Sequence, residues 1–224
     1  MGAAMQLVMP FSASPSYHAA DFIRGESNAE ALRWVESWPN WPYSIILLHG
    51  PKGSGKTHLS HVFAVRAHAT MIDVARVGSL PADHLLTGNH CWVLDNMDAA
   101  TDAPALAQLI NHVRARGDYL LMTATDAASQ LLFALPDLRS RLLALPSAAL
   151  GAPDDALLVG VLAKEFADRQ LRIAPDVLHY AATYLERSYA AMQQFANEVD
   201  ALSLARGRAI TLPLVRELLK VQDK

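Results

Sequence analysis

Short apolar runs alternate with helical patterns over the first two thirds of the chain. The run SIILLHG at 44–50 is apolar throughout, which is typical of a strand buried on both faces of a parallel sheet. Further runs at 70–75, 91–95 and 119–123, with a weaker one at 142–146, predict four more strands. Helical patterns lie between most of them. We therefore predict an α/β fold with a five-stranded parallel sheet.

The pattern changes near the segment GAPDD at 151–155. Before it, helical spacing is strongest at 27–38 and 57–69, but beyond it every pattern is helical. The later helices are predicted at 154–170, 175–185, 188–206 and 212–221. This change predicts an α/β domain followed by a small all-helical domain. The predicted divisions are an N-terminal arm at 1–16, an α/β domain at 17–151 and a helical domain at 152–224.

Composition narrows the function classes. The chain has 224 residues, of which 52% are hydrophobic and 18% charged, so it can form a packed core. Its net charge of −3 argues against a protein that holds DNA by bulk positive charge. Its single cysteine, Cys91, excludes an internal disulfide. No apolar run reaches the ~18–20 residues of a membrane span and no signal peptide is evident, so we expect a cytoplasmic protein without membrane contact.

The segment GPKGSGKT, Gly50 to Thr57, matches the phosphate-loop pattern G-x-x-x-x-G-K-[ST] between a predicted strand and a predicted helix. Its glycines let backbone N–H groups curl around phosphate oxygens, and the helix that follows presents its positive end to them. The lysine would contact the terminal phosphates, and the threonine hydroxyl would bind Mg²⁺. The predicted nucleotide-binding residues here are Gly50, Pro51, Lys52, Gly53, Ser54, Gly55, Lys56, Thr57 and His58.

A second acidic element is expected on a neighbouring strand. The run CWVLDNMD ends its apolar part at Asp95, which we predict to be the other Mg²⁺ residue. Many ATPases carry a carboxylate at the next position to orient the attacking water, but here that residue is Asn96. The direction of Asp98 is open at this point. We therefore expect weak or no hydrolysis by the chain alone, and whether it is an enzyme in its own right stays open.

Polar residues follow the strand at 119–123. Thr123, Thr125 or Asp126 could lie between the phosphate loop and Asp95 and contact the terminal phosphate. Of these three we favour Thr125. The alternative is ordinary polarity at a strand end.

Two arginines precede the last predicted strand, in the segment LPDLRSRLLALP. Arg139 or Arg141 could face the nucleotide of a neighbouring subunit, where a guanidinium supplied in trans stabilises phosphoryl-transfer charge. The alternative is a surface arginine paired with Asp137.

In this order, these elements resemble those of the AAA+ ATPases. More narrowly, the chain resembles the DnaA-related family and its short Hda-type members. The likeness covers residues 17–222 and rests on four segments: ADFIRGESNAEALRWVE, GPKGSGKTHLSHV, PDLRSRL and LPLVRELL. It implies an AAA+ nucleotide-binding domain followed by a helical lid. Unlike full-length DnaA, the sequence shows no helix-turn-helix domain after the lid.

The resemblance also implies roles that the motifs alone do not assign. Arg141 matches the arginine finger of the family, and Arg187 matches a lid arginine that reaches the nucleotide. ADP is favoured over ATP as the bound nucleotide, with Mg²⁺. The candidate residues for the adenine pocket are Asp21, Phe22 and Ile23.

The N-terminal arm contains QLVMPF, which looks like the short peptides that bind the replicative sliding clamp. A glutamine would bond at the pocket rim, and apolar side chains would fill a groove. A proline-stiffened arm loses less entropy when it binds. The alternative is a hydrophobic tail folded over its own domain. The predicted clamp-binding residues are Gln6, Leu7, Met9, Pro10 and Phe11.

The resemblance therefore implies a negative regulator of replication initiation. Its expected partners are DnaA and the DNA polymerase III sliding clamp, with DNA reached indirectly through the clamp. A homo-oligomer is possible on this reading. The rival interpretations are an AAA+ helicase loader that hydrolyses ATP itself and a DnaA-like initiator ATPase.

Overall fold

A five-stranded parallel sheet forms the centre of the N-terminal part of the molecule. The computed structural model describes residues 17–100 and 102–222. The strands β1 to β5 are Ile45–His49, Thr70–Ile72, Cys91–Leu94, Tyr119–Ala124 and Ser147–Ala149. Their order across the sheet is β2-β3-β4-β1-β5, and every pairing is parallel. The predicted α/β fold with five parallel strands is confirmed.

Both faces of the sheet are buried, as the apolar runs require. In β1, Ile45 and Leu47 pack into the core on one face, and Ile46 and Leu48 pack into the core on the other. Successive side chains of a strand point to opposite faces, so a strand covered on both sides needs apolar residues at every position. The sheet is thus the middle layer of three.

Within the described residues, five α-helices cover the sheet. The helices α1 to α5 are Ala29–Glu36, Lys56–Ala67, Ala82–Leu85, Ala103–Arg116 and Pro136–Leu143. In α4, the Asp102 carboxylate accepts a hydrogen bond from the Ala105 amide, and Gly117 ends the helix in the left-handed conformation. An acidic N-cap and a glycine after the last turn are the expected chemistry of helix ends.

The predicted strand at 142–146 is wrong. Residues 142 and 143 complete α5, and the last strand begins after Pro146. Leu142 and Leu145 are buried, but they reach the core from the end of a helix and the turn that follows it. A short apolar run fits a buried helix end as well as a strand, because periodicity cannot distinguish the two over five residues.

The other four α-helices of the described residues form a bundle with a core of its own. The helices α6 to α9 are Asp155–Asp168, Pro175–Tyr184, Tyr189–Arg206 and Leu212–Gln222. Phe166 and Phe195 meet edge to face at its centre, with 6.3 Å between ring centroids. The predicted boundary at Gly151 falls in the segment between β5 and α6. We call this bundle the lid.

Chain connectivity brings several loops to one edge of the sheet. The carboxyl ends of parallel strands share an edge, and ligands of open α/β folds bind outside that edge. The loops after β1, β3 and β4 therefore lie side by side at this edge of the sheet, and the lid lies next to them. Within the ranges that the structure describes, no helix is long and apolar enough to cross a membrane.

Candidate functional site

The loop between β1 and α2 has the geometry of a phosphate cradle. Gly53 and Gly55 have φ angles of +77° and +95°, a region that side-chain-bearing residues rarely adopt. A Cβ on Gly50 would lie 2.0 Å from the Leu150 carbonyl oxygen, so only glycine fits there. The chain passes from this loop directly into α2 at Lys56. The strand, loop and helix therefore follow one another as the motif predicts.

The Lys56 side chain extends from the start of α2 back into this loop. It is 6% exposed, and its Nζ donates hydrogen bonds to the carbonyl oxygens of Gly50 at 2.7 Å and Pro51 at 2.9 Å. Burial lowers the pKa of Lys56 from its usual value, and the nearby Asp95 carboxylate opposes that shift. A cation bonded only to neutral carbonyl groups can transfer to phosphate oxygens when these are present.

Asp95 is the centre of a hydroxyl network at the end of β3. Its Oδ2 accepts a hydrogen bond from Thr57 at 2.8 Å. Its Oδ1 accepts hydrogen bonds from Ser60 at 3.1 Å and from Thr123 at 2.6 Å. Three hydroxyl donors fix the orientation of the carboxylate, as outer-sphere partners do at metal sites. The Thr57 and Asp95 oxygens are the kind of ligand that Mg²⁺ requires, so the pair predicted from sequence is brought together and fits that ion.

The residues after Asp95 leave no carboxylate beside it. Asn96 is exposed and has a φ of +53°, and its amide donates to Asp95 Oδ2 at 3.3 Å. Asp98 is turned toward the end of β4, where its Oδ2 accepts a hydrogen bond from the Thr125 amide at 3.0 Å. The direction of Asp98, which the sequence left open, is therefore toward the β4 loop.

The two threonines of β4 have different positions. Thr123 is buried, and its hydroxyl both donates to Asp95 and accepts a hydrogen bond from the backbone N–H of Asn96 at 2.8 Å. Thr125 lies exposed beyond the last residue of the strand. Contact between Thr125 and a terminal phosphate stays a prediction, whereas Thr123 is the threonine that supports Asp95.

The predicted adenine-pocket residues lie next to the phosphate loop. A Cβ on Gly55 would be 3.3 Å from a ring carbon of Phe22, so this ring covers the loop directly. Ile23 is half-buried and packs against the lid core. Asp21 forms an ion pair with Lys164 of α6 at 2.9 Å. The segment before α1 thus joins the loop to the lid.

His58 contacts the beginning of the segment that precedes α1. One ring nitrogen lies 3.0 Å from the His18 carbonyl oxygen, and its ring meets Phe22 edge to face at 5.3 Å. Burial is the main reason why the pKa of His58 is lowered. The first turn of α2 therefore contacts the covering segment through its side chains.

The lid approaches the loop through the start of α8 instead of through Arg187. The Arg187 guanidinium pairs with Asp155 at 2.6 Å and donates to the Pro153 carbonyl oxygen at 3.3 Å. It faces the segment that links sheet and lid. The backbone amide of Tyr189 instead donates to the Gly53 carbonyl oxygen at 3.1 Å. Contact between Arg187 and nucleotide stays a prediction.

Unpaired buried polar atoms concentrate around this site. Across the described part of the chain, four buried side-chain oxygens have no hydrogen-bond partner: those of Ser27, Ser54, Tyr189 and one Asp98 oxygen. Such orphaned groups are few in native proteins, and each calls for a partner. Ser54 belongs to the phosphate loop, the Tyr189 ring borders it, and Asp98 lies close enough to Lys56 to affect the pKa of Lys56. With these three groups in reach of a partner, the site fits a polar ligand such as a nucleotide with Mg²⁺.

Arg141 lies away from this network, in the last turn of α5. Its Nε donates to Asp137 at 2.8 Å, and its Nη1 donates to Asn111 Oδ1 at 2.5 Å. The pairing with Asp137 that the sequence offered as the alternative is therefore present. Arg139 is exposed and forms no ion pair with any residue that the structure describes. The predicted clamp-binding residues, Gln6 to Phe11, lie outside the described residues.

Sequence reasoning missed several residues of the site. Ser60 lies three positions after Thr57 on α2, so helical spacing would have placed both hydroxyls on one face. The contact of Ser188 and Tyr189 with the loop glycines has no local signal. It depends on how the lid is packed against the sheet.

Comparison with known proteins agrees with this architecture. Residues 155–219 match the family model described as "Hda, lid domain". An uncharacterised protein of Haemophilus influenzae is 26% identical over 194 residues, which cover 77% of this chain and 80% of the relative.

Solved structures show the same fold at low sequence identity. Domain III of the replication initiation protein DnaA from Thermotoga maritima has a TM-score of 0.78 at 18% identity, covering 92% of this chain and 97% of that one. AMPPCP-bound DnaA from Aquifex aeolicus has a TM-score of 0.75 at 18% identity, and the match covers 94% of this chain and 71% of that one. The Holliday junction branch migration motor RuvB from Thermotoga maritima has a TM-score of 0.70 at 16% identity, and the match covers 92% of this chain and 72% of that one.

Proposed function

We propose that this chain, a DnaA-related AAA+ protein of the Hda type, binds an adenine nucleotide and restrains replication initiation by promoting ATP hydrolysis on DnaA. One observation carries the proposal. A complete phosphate loop and the Thr57–Asp95 pair stand beside Asn96, where a water-orienting carboxylate would be expected. A site of this kind binds a nucleotide well and hydrolyses it poorly.

In this proposal the chain's own nucleotide, with ADP favoured, serves to order the protein. Lys56 leaves the loop carbonyls and contacts phosphate oxygens, and the loop amides supply further hydrogen bonds. Thr57 and Asp95 hold Mg²⁺, whose charge offsets that of the phosphates. Phe22 and Ile23 cover the base. Binding at these residues stiffens the junction of loop, covering segment and lid.

The catalytic help is proposed to act on a partner. Arg141 leaves Asp137 and Asn111 and enters the nucleotide site of ATP-bound DnaA, where its charge stabilises the transition state. Arginine fingers supplied in trans raise phosphoryl-transfer rates by about 10³–10⁵-fold. The N-terminal arm attaches the chain to the sliding clamp on DNA, which limits this activity to replicated DNA.

The first test is the effect of the chain on DnaA. Phosphate release from ATP-loaded DnaA should increase when clamp-bound wild-type protein is added, and Arg141→Ala should abolish the increase while ADP affinity is retained. Arg139→Ala, which changes a neighbouring exposed cation, is the matched control. Full stimulation by Arg141→Ala would reject the finger assignment, and loss with Arg139→Ala alone would transfer the role to that residue.

The second test concerns the arm. Deletion of residues 5–11 should abolish capture by immobilised clamp without changing ADP binding. Substitution of Ser12, Ala13 and Ser14 by other small polar residues is the control. Undiminished capture of the deletion variant would remove the arm from the mechanism.

The rival activities predict a different measurement. A helicase loader or an initiator ATPase should turn over ATP without DnaA. Sustained turnover by the isolated chain, lost with Lys56→Ala, would favour those functions over the one proposed.

A further inference from the structure

Tyr189, the first residue of α8, occupies an unusual position between the lid and the phosphate loop. Its ring lies against Gly55, because a Cβ there would be 3.5 Å from a Tyr189 ring carbon and 3.3 Å from Phe22. Its backbone amide is bonded to Gly53. The lid therefore contacts the loop at both of its left-handed glycines through this turn of α8.

The Tyr189 hydroxyl is buried and has no hydrogen-bond partner. The Asn28 side chain lies close enough to lower the Tyr189 pKa as a hydrogen-bond partner would, but the two side chains form no bond of good hydrogen-bonding geometry. Asn28 itself accepts a hydrogen bond from the Gly25 amide and donates one to the Ile23 carbonyl oxygen, each at 3.0 Å. The pKa of Tyr189 is raised, chiefly by burial, so the hydroxyl stays protonated and can both donate and accept.

The position of Tyr189 indicates which half of a bound nucleotide, the phosphates or the nucleoside, it would contact. A nucleotide whose phosphates were held by the loop and Lys56 would extend its sugar and base out of the loop. Phe22 and Tyr189 are the two rings that border Gly55. Tyr189 therefore lies beside Phe22, which is proposed to cover the base, whereas the Arg187 guanidinium pairs with Asp155 and faces the sheet–lid link.

We propose that Tyr189 is the lid residue that recognises the nucleotide. Its hydroxyl forms a hydrogen bond with the nucleoside half of an adenine nucleotide. This inference rests on the proposed nucleotide binding. It assigns to a tyrosine the contact that the resemblance assigns to Arg187. Ligand binding would then give the orphaned hydroxyl its partner and fasten the lid to the loop.

The test compares ADP with inorganic tripolyphosphate, which has phosphates but no nucleoside, by calorimetry on the full chain. Tyr189→Phe should bind ADP roughly three- to tenfold more weakly, as expected for one lost hydrogen bond, and tripolyphosphate as wild type does. The melting temperature without ligand should not fall, because the hydroxyl has no partner to lose, but the rise caused by ADP should shrink. Tyr184→Phe, at an exposed lid tyrosine, is the control.

Each other result has a defined meaning. Equal ADP affinity of wild type and Tyr189→Phe, or a loss with Arg187→Ala alone, would overturn the inference. Equal weakening toward ADP and tripolyphosphate would also overturn it, since the hydroxyl would then act through the shape of the loop. If wild-type protein bound neither ligand, the proposed function itself would fail, and the inference with it.

Discussion

The Thr57 hydroxyl donates a hydrogen bond to Asp95, with 2.8 Å between Oγ1 and Oδ2. This contact joins the first turn of α2 to the end of β3. Ser60 and Thr123 bond to the other carboxylate oxygen, so Asp95 is held from three sides. The two residues expected to bind Mg²⁺ are therefore assembled by the chain's own hydrogen bonds.

Asp95→Asn should remove the Mg²⁺ dependence of ADP binding. The amide keeps the shape of the side chain but loses the charge that the ion requires. Calorimetry with ADP, in Mg²⁺ and in EDTA, should show a difference for wild type and none for the variant. Persistence of the wild-type difference would exclude Asp95 as the metal residue.

Ser60→Ala should have an intermediate effect. Ser60 only orients Asp95, and loss of such a supporting hydrogen bond typically weakens metal affinity about tenfold or more. A Mg²⁺ titration at fixed ADP should shift to higher concentration, while binding in EDTA stays unchanged. Ser79→Ala, at a hydroxyl outside the site, provides the comparison. An unshifted titration would show that Thr57 and Thr123 are enough to orient Asp95.

Gly53→Ala should weaken nucleotide binding through the lid. A Cβ there would lie 3.0 Å from the Ser188 Cβ, so the start of α8 must move away. Gly88→Ala is a matched control, because its φ of +76° equals that of Gly53 within a degree but no atom lies within 4 Å of its added Cβ. Both should lose about 1–2 kcal/mol of stability from left-handed strain. Only Gly53→Ala should also lose ADP affinity, and equal affinities would contradict a lid contact that matters for binding.

Asp137→Asn should make Arg141 more available to a partner. The pair is partly exposed, and such ion pairs contribute about 0.2–1 kcal/mol, which corresponds to at most about a fivefold change in availability. The concentration of this chain that gives half-maximal stimulation of DnaA should fall by a comparable factor. Asp176→Asn, at an exposed lid residue, is the control. Reduced stimulation by Asp137→Asn would instead mean that Asp137 orients the finger for use.

Asp118→Asn should destabilise the sheet at neutral pH and hardly at all in acid. Burial by itself would raise the pKa of Asp118, but hydrogen bonds from His90 and Trp92 and the charge of Arg116 lower it overall. A carboxyl with a lowered folded pKa contributes stability above its unfolded value, here near 3.8, and loses it as pH falls through the folded pKa. The Asp118 side chain is buried but its partner Arg116 is partly exposed, so loss of these charged hydrogen bonds should cost about 1.5–3 kcal/mol at pH 7.

Chemical unfolding of wild type and Asp118→Asn from neutral to acid pH checks the direction in which the stability difference changes. The gap in unfolding free energy should be constant well above pH 4 and narrow below it. Asp83→Asn, at an exposed carboxyl, should show no gap at any pH. A gap that widened in acid would contradict the lowered pKa.

Much of the candidate site was predictable because its parts are continuous in sequence. Gly50 to Thr57 is one segment, and the apolar run before it and the helix after it define its setting. Asp95 follows from the same reasoning, since the ends of parallel strands share an edge. Phe22 was reached only through family resemblance.

Other residues could not be assigned from the sequence. Thr123 and Thr125 are two residues apart and would share one face of an extended strand, so the pattern alone does not choose between them. The choice depends on where the strand ends, and β4 ends at Ala124, between the two threonines. The strand after α5 was displaced to 142–146 because a buried helix end and a strand share the same apolar composition. Arg187 matched a family position, but its guanidinium pairs with Asp155.

The sequence by itself determined most of the elements and the chemistry that each one carries: a glycine loop with its lysine, an acid at a strand end, two arginines before the last strand, and four lid helices. Propensity, periodicity and motif spacing are local properties, so a single segment contains them. Only the tertiary structure decided which of these parts meet, from the β2-β3-β4-β1-β5 order to the contact of Gly53 with the turn at Ser188 and Tyr189. Such contacts join residues far apart along the chain, and they are set by the packing of sheet and lid as whole bodies.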